Sequence, residues 1–228
     1  MDQTVLVAMV WYVCFVMSAV IHEASHSLAA YLGGDDTAYL GGQVSIDPIP
    51  HIRREPFGMV VLPLVTVFLL GWPLGYASAP FQLDWAHRYP RRAALMSLAG
   101  PLSNLLMALI CFVILKIGLM NGYWDYPKNA IQFDRLVVGE GVHATTGLFL
   151  SILLTLNLLL AVLNLMPTPP LDGALAICLF LPVRWARKYQ DFLQTPGLAL
   201  IGLFVAWQLF HKVWQSVIWP VIWLLYTI

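Results

Sequence analysis

Five consecutive residues, His22-Glu23-Ala24-Ser25-His26, hold the donor types needed to bind a metal ion and use it. On a helix, residues four apart share a face, so both imidazoles can reach one ion. Glu23 projects beside them, where its carboxylate can polarise a water. On a soluble helix the same letters often mark only a solvated charged face. Here they close an unbroken apolar run of roughly twenty residues, long enough to span a bilayer. Three ionisable groups in a membrane helix are expensive, and that points to function.

A catalytic zinc site takes three protein ligands and keeps one position open. A distant segment, Asn164-Leu165-Met166-Pro167-Thr168-Pro169-Pro170-Leu171-Asp172-Gly173, offers the third. Its prolines break the helix, which at membrane depth is tolerated only where the backbone lines a site or packs in protein. Spacing alone leaves two readings of Asp172 open: a metal ligand, or the N-cap of a short helix over 173–181. Asn104 and Asn164 are amides in apolar helices. Each could donate to a substrate carbonyl or oxyanion, or only tie helices together. His51 reads as an interfacial histidine rather than an accessory site residue. Cys14, Cys111 and Cys178 stand singly in apolar stretches without a CxxC spacing and read as small core residues.

These residues need a scaffold, and composition says which kind. Of 228 residues, 60% are hydrophobic and 11% charged, so the chain could not clothe a soluble surface and the bilayer is its natural solvent. The formal net charge is zero, which gives nucleic acid no purchase. The expectation is an all-α polytopic membrane protein forming one domain over 1–228, with spans near 4–31, 92–118, 143–166 and 192–211. The first span lacks a basic n-region and reads as retained rather than cleaved. Segment 57–76 carries Pro63, Gly71, Pro73 and Gly75, and reads as broken or re-entrant. The tail 213–228, with Trp214, Trp219 and Trp223, reads as interfacial. Leu40, Val44 and Ile46 alternate with Gln43 and Ser45, which predicts a short edge strand over 39–46. Its residues Gln43, Val44 and Ser45 are candidates to pair with an extended substrate.

Charge orients the spans. Arg88, Arg91 and Arg92 precede the second span, and Arg184, Arg187 and Lys188 precede the last. By the positive-inside rule both basic loops face the cytoplasm, and the 120–142 loop lies outside. Segment 57–76 must then begin and end on one side, and the metal motif lies at the cytoplasmic end of the first span.

Three motifs together, HEASH at 22–26, AGPLSN at 99–104 and NLMPTPPLDG at 164–173, resemble the site-2 protease family of intramembrane metalloproteases. GGQVSIDPIPHI at 41–52 is similar to the segment that follows the metal helix in small bacterial members. The resemblance implies one zinc ion per chain held by His22, His26 and Asp172, with Glu23 as catalytic base. It also implies a membrane-embedded β element, a bacterial cytoplasmic membrane and single-span membrane proteins as substrates. Ala174 stands where a second glycine is commoner. Neither a PDZ nor a nucleotide-sensing module is visible in these residues. Two rival readings use the same polar groups: a non-catalytic zinc-bound scaffold, which would need no Glu23, and a metal or proton transporter, for which no inverted repeat is visible.

Overall fold

The computed structural model describes residues 3–128 and 131–227. The described residues are helical throughout their regular structure: α1 Gln3–Leu32, α2 Thr37–Leu40, α3 Pro48–Arg54, a π-helical turn Phe57–Val61 leading into α4 Leu62–Leu70, α5 Leu83–Arg88, α6 Pro90–Met120, α7 Val142–Asn164, α8 Asp172–Ala176, α9 Val183–Leu193 and α10 Leu198–Tyr226. Three of these, α1, α6 and α7, are long and apolar enough to cross a membrane. A bent pair, α9 with α10 at 92°, makes four if it counts as one span.

α1, α6 and α7 form the bundle that positions the chemistry. His26 meets Met96 and His22 meets Asn104, so α1 and α6 run antiparallel. Cys14 meets Phe149 and Ser18 meets Asn157, so α1 and α7 run parallel. The buried residues of α1 form one stripe, Trp11, Cys14, Phe15, Ser18, His22, Glu23, His26 and Ala30, recurring at helical spacing. Its other face leaves Val5, Met9, Val13 and Met17 exposed, as lipid contact requires. α7 is the most enclosed of the three and supplies Ile152, Leu154 and Leu156 to the main core.

Because α1 and α6 are antiparallel, the chain between them must start and finish at one end of the bundle. It does so by doubling back. α4 runs along α1 until Gly71, which takes a left-handed conformation (φ +82°) beside Gln3 and Ala8. Residues 71–82 then return without regular structure, and the Tyr76 N–H donates to the Gly58 carbonyl at 3.1 Å. The two glycines are there for contact rather than to break a helix. A Cβ on Gly58 would stand 2.3 Å from the Tyr76 carbonyl oxygen, and one on Gly75 would stand 2.2 Å from the Phe15 ring.

Two sequence expectations need correction. The 39–46 strand does not form. α2 occupies Thr37–Leu40, and the N–H groups of Gly42 and Gln43 bond back to the carbonyls of Tyr39 and Ala38. Gly42, at φ +73°, lets the chain curl where the alternation alone suggested extension. Among the described residues only isolated bridges occur, Asp125 with Val138 and Gln132 with Arg135. Nor is there a break near 212: α10 runs continuously from Leu198 through Pro220 to Tyr226, and the turn lies earlier, at Gly197. Trp214, Ile218, Ile222 and Leu225 bury one face of this helix in the main core. The Tyr226 hydroxyl donates to the Leu136 carbonyl at 2.7 Å.

Both basic segments lie together. Arg187 of α9 donates to the His87 carbonyl of α5 at 3.0 Å, and Gln190 donates to the Ala86 carbonyl at 3.2 Å. α5 leads directly into the end of α6 that faces His26, so the basic end of the molecule is also the end nearer His22 and His26.

Candidate metal centre

The last two turns of the α1 stripe deliver His22, Glu23 and His26, all buried. The two histidine Nε2 atoms are 3.0 Å apart. The chain after α7 turns through Pro167–Leu171 and brings Asp172 Oδ2 to 3.2 Å from His22 Nε2 and 3.3 Å from His26 Nε2. The Ser97 hydroxyl of α6 fixes that turn by donating to the Asp172 carbonyl at 2.7 Å. Asp172 is the first residue of α8, with Leu171 rather than Asp172 at the N-cap position. The geometry therefore favours the ligand position over the cap.

The ring nitrogens are assigned by their far-side partners. His26 Nδ1 lies 2.7 Å from the Met96 carbonyl, which can only accept, so Nδ1 carries the proton and Nε2 a lone pair. His22 Nδ1 donates to Asn104 Oδ1 at 2.5 Å, which leaves its Nε2 bare as well. With both rings neutral, two lone pairs and a carboxylate oxygen face one another. That arrangement repels itself unless a cation sits among them. The spacing suits zinc: bond lengths of about 2.0–2.1 Å place tetrahedral donors about 3.3 Å apart. Gly100 of α6 forms one wall, since a Cβ there would stand 2.3 Å from His26 Nε2 and 2.6 Å from His22 Nε2.

Glu23 offers a carboxylate oxygen within 4.8 Å of both histidine donors. Among the described residues it makes no hydrogen bond or salt bridge, although the residue is only 6% exposed and its charge acts on His26. A buried carboxylate without a partner is costly, and its oxygens are open to a proton that is not the protein's own.

The other expected site residues fall elsewhere. Asn104 is fully buried, with Oδ1 on His22 and Nδ2 on Asn157 at 2.7 Å. It has no donor left for an oxyanion, and its place is behind a ligand. Asn164 is half-buried at the end of α7, and its amide donates back to Leu160 at 3.0 Å. Gln43 is buried and donates to the Ser78 carbonyl at 3.2 Å, while the Ser45 carbonyl bonds His51 at 3.0 Å. Gln43, Val44 and Ser45 therefore form no edge for a substrate. Sequence reasoning missed Gly100 as a wall of the site, because a glycine carries no donor and its role depends on which rings pack against it. It also missed Asn157, whose signal is an uncapped amide in the middle of an apolar helix.

The family model described as Peptidase family M50 matches residues 10–206, an interval that includes every one of these residues. The chain belongs to peptidase family M50. The site-2 protease resemblance and this match name the same family, and the chain is a membrane metallopeptidase of it. A Bacillus subtilis (strain 168) protein, "Putative zinc metalloprotease YwhC", is 32% identical over 214 residues, covering 92% of this chain and 84% of the relative. A Mycolicibacterium smegmatis protein, "Putative zinc metalloprotease Rip2", is 27% identical over 90% of this chain and 70% of its own length. No solved structure matches this M50 peptidase.

Proposed function

We propose that this M50 peptidase is an intramembrane zinc metalloprotease that hydrolyses peptide bonds within or near the transmembrane segments of single-span membrane proteins. One observation carries the reading: three metal-seeking donor atoms converge beside a buried, unpartnered carboxylate inside a helix bundle. A scaffold needs the donors but has no use for Glu23, and a transporter has no use for a base held off the metal path. The relatives' zinc metalloprotease names agree.

His22, His26 and Asp172 would hold one zinc ion. Bound zinc supplies a Lewis acid that lowers the pKa of water from 15.7 to about 7 and polarises a carbonyl oxygen. Glu23 accepts the proton of the attacking water and passes it to the leaving amine. The burial of all three α1 groups excludes bulk water and strengthens each charge interaction. A helical substrate keeps its carbonyls in i→i−4 hydrogen bonds, so it must unwind locally before attack. The test is cleavage of a single-span substrate in proteoliposomes, with chelator and with zinc restored. Cleavage that persists after full metal removal would sink the reading.

Asp172→Ala removes the only carboxylate among the three donors and leaves two neutral imidazoles. Zinc content, measured on the purified variant by atomic emission, is expected to fall below stoichiometry, with loss of turnover. Full occupancy would return Asp172 to a structural role.

The site belongs toward the cytoplasm of a bacterial inner membrane, because Arg88, Arg91 and Arg92 share its end of the bundle with Arg184, Arg187 and Lys188. In this reading 57–76 is re-entrant. Single cysteines at the exposed positions Asp36, Asp84 and Glu140, in a background lacking the three native cysteines, report this through an impermeant thiol reagent on intact cells. Only position 140 is expected to label. Labelling at 84 alone of the first two would mean that 57–76 crosses.

A further inference from the structure

Behind His22 lies a chain of fully buried amides that reaches across the bundle to α7. Asn104 Oδ1 accepts from His22 Nδ1, Asn104 Nδ2 donates to Asn157 Oδ1 at 2.7 Å, and Asn157 Nδ2 lies 2.9 Å from both the Leu153 carbonyl and the Ser18 hydroxyl. Asn104, Asn157 and Ser18 are each 0% exposed, so water cannot substitute for a missing partner.

An amide can be turned end for end, and in isolation either end of Asn104 could face the imidazole. Here the orientation follows from the far end of the chain. The Leu153 carbonyl can only accept, so the Asn157 atom beside it must be the NH2 group. The Asn157 oxygen then faces Asn104, and the Asn104 atom meeting it must be nitrogen. That same nitrogen lies 3.5 Å from the Ser18 carbonyl, a second obligate acceptor that demands the same answer. The Asn104 oxygen is left for His22, so His22 Nδ1 carries a proton, and in the neutral ring Nε2 is the bare nitrogen.

We infer that Asn157 is a positioning residue that sets the tautomer of His22 through Asn104. The two carbonyls, one on α7 and one on α1, act as fixed references, and both asparagines transmit their polarity to the imidazole. His26 needs no such relay, because the Met96 carbonyl faces it directly. The site thus uses a backbone acceptor for one ligand and an oriented amide pair for the other. With the amides reversed, His22 would be driven to protonate the nitrogen that faces Asp172.

The inference rests on His22 being a metal ligand, and the experiment separates the two claims. Zinc affinity is measured by competition with a chromophoric chelator for the wild type, His22→Ala, Asn157→Leu, Asn104→Asp and the double variant Asn104→Asp/Asn157→Leu. His22→Ala is expected to lose tight zinc binding; if it does not, the metal reading itself falls. Asn157→Leu removes the closer of the two contacts that orient Asn104, leaving only the Ser18 carbonyl at 3.5 Å, and is expected to weaken zinc by about 10-fold or more, the range for residues that orient a ligand. Asp at 104 presents oxygen whichever way it turns, so His22 keeps its Nδ1 proton without help. In that background Asn157→Leu is expected to change affinity by less than about 2-fold, the non-additivity that an effect passing through Asn104 requires. If Asn157→Leu binds zinc like the wild type, or loses the same factor in both backgrounds, Asn157 is only a packing residue. Should Asn157→Leu not fold, 15N spectra of the metal-free wild type decide the point, with His22 identified by the signals missing from His22→Ala. Protonation at Nδ1 supports the relay, and protonation at Nε2 overturns it.

Discussion

Replacing Glu23 with glutamine is expected to stop turnover and leave zinc bound. Glutamine keeps the shape of the side chain and removes its ability to accept a proton. The metal should stay, because His22, His26 and Asp172 place their donors 3.0–3.3 Å from one another without any contribution from Glu23. Loss of a positioned general base typically costs about 10²–10⁴-fold in rate. The same variant makes a second, independent expectation. Glu23 is buried and accepts no hydrogen bond among the described residues, so neutralising it removes the cost of holding a charge there. Thermal stability should hold or rise while activity disappears, the trade expected where a fold carries strain for function. Metal content, a thermal melt and cleavage of a single-span substrate on one preparation test all three points. Turnover near the wild-type rate would move the base elsewhere.

How much of this was legible beforehand depends on whether a role is local. His22, Glu23 and His26 could be read directly, because a shared helix face follows from their spacing alone. Asp172 could not be read that way. Its cap and ligand readings differ only in where a turn 150 residues away in sequence delivers it, and a motif resemblance was needed to favour one. Charge and the glycine and proline content of 57–76 suggested a re-entrant segment, which stays part of the proposed topology. The 39–46 strand failed because two-residue alternation competes with Gly41-Gly42, and the backbone closed its hydrogen bonds locally around α2. The tail 213–228 reads as interfacial from its tryptophans, whereas the helix continues through Pro220, which packing in a bundle tolerates. Asn104 was visible as a polar residue in an apolar helix, but its partner was not. Only the packing of α6 against α1 and α7 shows that both of its polar atoms are already committed.

α6 holds the site although it supplies no metal donor. Met96, Ser97, Gly100 and Asn104 recur along one face, and each touches a different part of the centre: the His26 ring, the Asp172 backbone, both Nε2 atoms and the His22 ring. Three of those contacts are hydrogen bonds with little tolerance in length. The fourth is an absence of side chain. A helix that must approach two imidazoles closely enough to bond behind them can carry nothing but hydrogen at the position between.

Gly100→Ala is therefore expected to abolish zinc binding, though alanine is the better helix former. The added methyl carbon would stand 2.3 Å from His26 Nε2 and 2.6 Å from His22 Nε2, well inside van der Waals contact. The clash is not with the free end of a flexible chain, because both rings are tied at Nδ1 and cannot swing away without breaking those bonds. Either α6 withdraws from α1, which loosens Met96, Ser97 and Asn104 together, or the imidazoles leave the position that brings their donors to Asp172. Displacement of about 1 Å at a catalytic centre costs about 10²-fold in rate, and here it acts on the ligands themselves. Overpacking also destabilises, by about 1–3 kcal/mol, so the metal loss must be separated from general unfolding. Gly118→Ala provides the comparison. A Cβ there would stand 2.0 Å from the Trp124 ring, an equal or worse clash on the same helix but at its opposite end. Both variants should melt at lower temperature than the wild type. Zinc per folded molecule, measured after size-exclusion chromatography, should stay stoichiometric in Gly118→Ala and fall close to zero in Gly100→Ala. Full zinc occupancy in folded Gly100→Ala would mean that the imidazoles have room to spare and that α6 does not wall the site.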